Sequence, residues 1–167
     1  SAASDVYKRQ ILIIVAFLSA PFLNSTEEYN GAGWTSGGNI NTRYISRRVT
    51  LEDEFDAGDI KVILNAYKPL GTGIHLYYKA KHKDDPQDFD EKSYVLMSQE
   101  TVSSRYSSSE EDIKEFTFKT SSDEITYTSD NVLYENFKSF AVKVCLTSNN
   151  AALIPKVKDM RAIALDT

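Results

Sequence analysis

The sequence predicts an all-β chain, antiparallel throughout, folded as a sandwich or barrel of about eight strands. Three observations carry this. Ile60, Val62, Leu64 and Ala66 alternate with polar residues, as do Ile74, Leu76, Tyr78 and Ala80. Such period-2 patterning marks strands with one buried and one wet face. The chain holds ten Tyr and eight Phe with few helix-forming runs, a composition that favours strands. Between the apolar runs stand Gly, Pro, Asn and Ser clusters that turn the chain.

Taken in order, Ile11–Leu23 is the most apolar stretch, ILIIVAFLSAPFL. A membrane span needs about 20 apolar residues, and Pro21 interrupts first, so a buried strand over ILIIVAFL fits better. Asn24–Asn41 is a polar loop with two glycine clusters and the single tryptophan, Trp34. Asn24-Ser25-Thr26 matches a glycosylation acceptor, a triplet frequent by chance. A strand centred on Ile45, Val49 and Leu51 follows, then an acidic turn, Glu52–Asp59, in which Phe55 reads as an anchoring plug. The next two strands, Ile60–Ala66 and Ile74–Ala80, are joined by Lys68-Pro69-Leu70-Gly71-Thr72-Gly73. There Pro presets φ and Gly supplies positive φ. A polar loop, His82–Lys92, leads to a short strand at Tyr94–Met97 and an exposed loop over Ser98–Asp112. Ile113–Lys119 is a strand with Phe116 and Phe118 on one face. Thr120–Asn136 is polar, with one brief strand around Ile125–Thr128. Phe137–Thr147 places Phe140, Val142, Val144 and Leu146 on one side. After a turn at Ser148–Leu153, Val157–Leu165 is the last strand.

Composition also bounds function. The chain has 167 residues and a formal net charge of −5, and no basic run, so phosphate neutralisation and nucleic-acid binding are disfavoured. One cysteine, Cys145, excludes an intrachain disulfide framework and a cysteine-based zinc site. Its apolar strand predicts a buried small hydrophobe. His75 and His82 form no HExxH pair. No GxSxG elbow surrounds a serine, and no phosphate-cradling loop is present. No catalytic, cofactor or metal residue is therefore assigned. The acidic loop 84–91 has carboxylates that suit a hard cation, but it lacks the glycine of an EF-hand. A solvated connection with Phe89 folded onto the core is the stronger reading. His75, Tyr77 and Lys79 share one strand face with Lys81, opposite Tyr78. With Trp34 they make the candidate ligand or partner surface; an ordinary wet face of Tyr and Lys is the competing reading.

Two resemblances bear on origin. Residues 1–10, SAASDVYKRQ, are the in-frame translation of TCG GCA GCG TCA GAT GTG TAT AAG AGA CAG, which resembles a transposase-based sequencing adapter. Leaving out Asp5, Lys8 and Arg9 makes the net charge one unit more negative. The expected organisation is then a non-native segment at 1–10, a truncated strand and Gly/Ser/Asn-rich loop at 11–40, and a sandwich domain at 41–167. The pattern RYI-x-R-x-VTL-x-D-x-FDA-x-D, then A-Y-x-P-x-GT-x-I-x-x-YYK, then P-x-V-x-D-x-R-A-I-AL runs through the chain. As a set it resembles the C-terminal domain of virion structural proteins from marine contractile-tailed phages of the cyanophage type, from about Leu18 onward. The resemblance implies a building block of the tail or baseplate, assembled in the host cytoplasm with other virion proteins. It implies no catalytic residue, cofactor, nucleic acid or membrane. With it, the fold expected is a jelly-roll-like antiparallel β-sandwich. The alternatives are a carbohydrate-binding module for host attachment and, further behind, a glycan-acting hydrolase.

Overall fold

The computed structural model describes residues 11–13, 40–101, 105–120, 124–150 and 152–166. Its strands are β1 (Ile11–Ile13), β2 (Ile40–Ile45), β3 (Val49–Thr50), β4 (Asp59–Tyr67), β5 (Thr72–Lys81), β6 (Val95–Leu96) and β7 (Ser98–Gln99). They continue with β8 (Lys114–Lys119), β9 (Thr126–Ser129), β10 (Val132–Glu135), β11 (Ser139–Ser148) and β12 (Lys156–Leu165). A 3₁₀ turn at Phe89–Glu91 is the one helical element among the described residues.

Two antiparallel sheets pack face to face. The first runs β1-β12-β4-β8-β7 and the second β2-β11-β5-β6, with β3 beside β2 on β11. The chain crosses between them repeatedly, and its last long strands, β11 and β12, take interior places between early strands. That is the jelly-roll order, two interlocked Greek keys. The patterning explains the core directly. Ile60, Val62, Leu64 and Ala66 of β4 face Ile74, Leu76 and Tyr78 of β5 across the sandwich, joined by Phe116, Phe118, Phe140, Val142, Val144, Leu146 and Met160. Fully burying each of these large side chains is worth about 1.5–3 kcal/mol.

The strand expected around Ile45, Val49 and Leu51 is two strands on the same partner. Ser46 makes the break: its N–H donates to the Val142 carbonyl at 2.9 Å, and its Oγ accepts the Val142 N–H at 2.9 Å. The side chain stands in for a ladder carbonyl while the chain bends. The segment Thr120–Asn136, expected to hold one brief strand, instead holds the hairpin β9–β10, turned at Asp130-Asn131. The loop expected over Ser98–Asp112 begins with β7, which pairs β8. Phe55 is 38% exposed and does not plug its turn. The Lys138 ammonium holds that turn, donating to the carbonyls of Glu52 and Phe55, the latter at 3.0 Å.

β1 pairs β12, so Ile11–Ile13 lie in the first sheet with the rest. The remainder of the expected strand ILIIVAFL, the loop with Asn24 and Trp34, and residues 1–10 lie outside the described residues.

Candidate functional site

The outer face of the second sheet carries the sequence-predicted residues. Alternation along β5 sets His75, Tyr77 and Lys79 opposite the core-facing Leu76 and Tyr78. The neighbouring β11 adds Ala141, Lys143 and Cys145, in register with Lys79, Tyr77 and His75 in turn. The three predicted residues are therefore together, and Trp34 lies outside the described residues.

This face is not wet. Lys79 is 8% exposed and Lys143 5%, and Cys145 and Ala141 are buried as well. The loop between β5 and β6 folds back over it. Phe89, expected to fold onto the core, is buried, packed on this outer face and apart from the main core cluster. The Lys79 ammonium lies 4.5 Å from the Phe89 ring centroid and 5.2 Å from that of Tyr94. The Lys143 ammonium lies 4.3 Å from Tyr94 and 4.6 Å from Tyr77. The Arg48 guanidinium also lies over Phe89, 4.8 Å from its centroid. Cations and ring faces alternate from Arg48 to Tyr77, and each desolvated contact of this kind contributes about 1–2 kcal/mol. Gly73 makes room at the far end of the face. A Cβ there would sit 2.5 Å from Thr147 Oγ1 and 2.8 Å from His75 Nε2, two atoms that are themselves 3.4 Å apart. Burial, and next the charge of Lys68, lower the His75 pKa, which holds the imidazole neutral.

The same loop has an inner side built on Asp85. Its carboxylate is saturated: Oδ1 accepts the Gln87 N–H and the Ser129 hydroxyl, each at 3.0 Å. Oδ2 accepts the Tyr127 hydroxyl at 2.7 Å and pairs with the Lys92 ammonium. Burial by itself raises this carboxyl, but Lys92, Tyr127, Gln87 and Ser129 together bring it down to about 2. Tyr127 is pushed the other way, by burial and by the carboxylate it feeds, so its phenol keeps its proton. Its oxygen also accepts the His82 N–H at 2.7 Å, and its ring stacks on Tyr134 at 5.5 Å. Asp85 thus fastens the loop to hairpin β9–β10. It has no proton to give at neutral pH and no lone pair left for a cation. Among the described residues no group of three His, Cys, Asp or Glu side chains is placed to hold a metal.

Beside this clasp an open groove of about 440 Å³ runs between β6 and β9. Tyr78, Ala80 and Ile125 form its floor, Ser93 and Val95 one wall, Thr126, Tyr127 and Thr128 the other, and Gln87, Glu91 and Lys92 its loop end. Sequence reading missed both groove and clasp. Asp85 and Lys92 stand in one loop, but Tyr127 and Ser129 come from some forty residues on. A signal for the hairpin was present in Asp130-Asn131, residue types that accept positive φ, between β-forming runs. No helix of the described residues is long and apolar enough to cross a membrane. Comparison of the chain with protein families, with curated proteins and with solved structures gives no match.

Proposed function

We propose that this chain is a non-enzymatic structural module of a phage tail or baseplate, which works by holding other virion proteins. One observation carries the protein-binding part. Large apolar side chains stand exposed together at the end of the sandwich where β4 turns into β5 and β11 into β12. Leu70 is 71% exposed, and Leu153, Ile154 and Tyr106 are exposed with it. Their loops are tied: the Asn149 N–H donates to the Gly71 carbonyl at 3.1 Å, and the Ser107 N–H to that of Lys68 at 2.8 Å. Exposed apolar side chains on hydrogen-bonded turns suit a protein contact. The phage source is supported by the sequence resemblance, and a jelly roll is a frequent scaffold of virion proteins, though fold alone never fixes function.

The cation–aromatic face, whose rings and charges engage one another, weighs against the carbohydrate-binding alternative. Sequencing the DNA on both sides of the reading frame tests the source; tail or capsid genes are the expected neighbours, and their absence overturns it. Co-expression with the neighbouring gene products tests the contact. The wild-type chain should copurify with one of them, and Leu70→Glu/Ile154→Glu should not; equal recovery of both sinks the assignment of that end. Saturable binding of the full chain on a glycan array would replace the scaffold reading with the carbohydrate-binding one.

A further inference from the structure

The groove beside the clasp is walled by a strand edge, and the hairpin turn fixes which backbone groups that edge presents. Asp130 and Asn131 both take positive φ, 49° and 61°, which is the type I′ geometry of a two-residue hairpin loop. In such a hairpin the flanking pair, Ser129 and Val132, exchanges both ladder bonds, and every second pair does so thereafter. Tyr127 and Tyr134 are the next such pair. Thr126 and Thr128 therefore turn their N–H and C=O away from β10, on the side where they line the groove. Among the described residues no backbone group pairs with them: β9 has β10 as its one strand neighbour. An open edge of this kind is a template for another strand.

The surroundings say what sort of strand. The apolar floor suits every second side chain of an extended peptide, whose alternate side chains then face solvent. Glu91 lines the groove and, like Asp130 and Glu135 of the hairpin, is exposed, whereas the cation of the lining, Lys92, is paired with buried Asp85. The rim is thus acidic and complementary to a basic partner. A second copy of this acidic chain would meet like charge.

We propose that the groove takes an extended basic segment of a partner protein, added as a strand along β9 through the backbone of Thr126 and Thr128. This extends the reading of the chain as a protein-binding module to a second face, carried by the strand edge and separate from the apolar end, and does not depend on the phage source.

The test is fluorescence anisotropy of the full chain with short labelled peptides of alternating Val and Lys, and with the same series carrying Glu for Lys. The Lys series should bind saturably and the Glu series at least tenfold more weakly at low salt. Thr128→Pro removes one edge N–H at a position where a strand tolerates Pro. It should weaken the Lys peptides roughly tenfold, the loss of one well-placed hydrogen bond. Glu91→Lys/Glu135→Lys leaves the edge intact and should reverse the preference, which keeps the test decisive if the Pro variant does not fold. Absence of saturable binding by the Lys series, unchanged affinity in a folded Thr128→Pro chain, or an unchanged preference after charge reversal overturns the proposal. A concentration-dependent dimer of the chain that Thr128→Pro abolishes would also overturn it, since the edge would then serve a second copy. Failure here with copurification intact at the apolar end would leave the interaction-module reading standing.

Discussion

At Asp85 a carboxylate is buried where four donors converge on it, and its ionisation is thereby coupled to the fold. Removing it leaves the Lys92 ammonium buried without its counter-charge. Asp85→Ala should therefore cost about 3 kcal/mol in urea denaturation, in the range for breaking one side of a buried pair. A loss within error of zero would show that the clasp is ornamental. The pH dependence has a defined sign. The folded value, about 2, lies below the ordinary 3.8. The ionised clasp contributes fully above about pH 4, and that contribution disappears as the pH falls toward 2. Asp85→Asn should flatten the acid side of the stability profile. An unchanged slope between wild type and variant would assign acid sensitivity to other carboxylates. No feature of the sequence around Asp84-Asp85 distinguishes these two residues. Asp84 is exposed and Asp85 buried, because Tyr127 and Ser129 arrive over the second one only.

The strands and turns were far more legible. Turn chemistry at Pro69–Gly73 is realised at Gly71, where φ is +85° and the carbonyl accepts the Asn149 N–H. A Cβ at Gly71 would lie 2.6 Å from Asn149 Oδ1. Gly71→Ala therefore combines left-handed strain with a contact that must give. It should lower stability by about 1–2 kcal/mol in chemical denaturation; no loss would mean that the turn relaxes to another type. The strands β4, β5, β11 and β12 could be read because a strand with one side in the core writes an apolar alternation into its sequence, even where, as in β11, the other side is covered too. β9 was legible only as the brief strand expected around Ile125–Thr128 and β10 not at all, because they face solvent, loop and each other, and Thr-Tyr-Thr-Ser carries no apolar alternation. The cation–aromatic face lies between these cases. Its membership, His75, Tyr77 and Lys79, follows from strand period alone. Its burial depends on Phe89 and Tyr94, which one loop folds over β5 and β11.

For the whole molecule, the jelly-roll order places the first and last described strands side by side. β1 pairs β12, and β12 separates β1 from β4 in the first sheet. Pairings so distant in sequence must be closed before they stabilise anything, so refolding should take milliseconds to seconds, as followed by far-UV circular dichroism after dilution from urea. Microsecond refolding would be incompatible with this topology. Deleting β12 and everything after it removes an interior strand and its Met160 and Ala162 from the core. The shortened chain should lose cooperative unfolding altogether; a residual sharp transition would mean that the second sheet is stable by itself.

Taken by itself, the sequence determined the class of the fold, the faces of its long strands and most of its turns. Alternation, β-branched and aromatic content, and Gly or Pro at turns are local properties with local physical causes. It also set an acidic chain without a cysteine framework. Tertiary structure alone decided which charges are buried and what they touch, because desolvation and pairing depend on neighbours brought from far along the chain. Lys79 and Lys143 look like surface lysines in sequence, yet they lie under aromatic rings. The loop 84–91 reads in sequence as a solvated acidic connection, yet it holds one buried carboxylate, Asp85, engaged by Lys92, Tyr127 and Ser129. The groove along β9 exists only because that clasp holds a solvent-facing hairpin beside the second sheet.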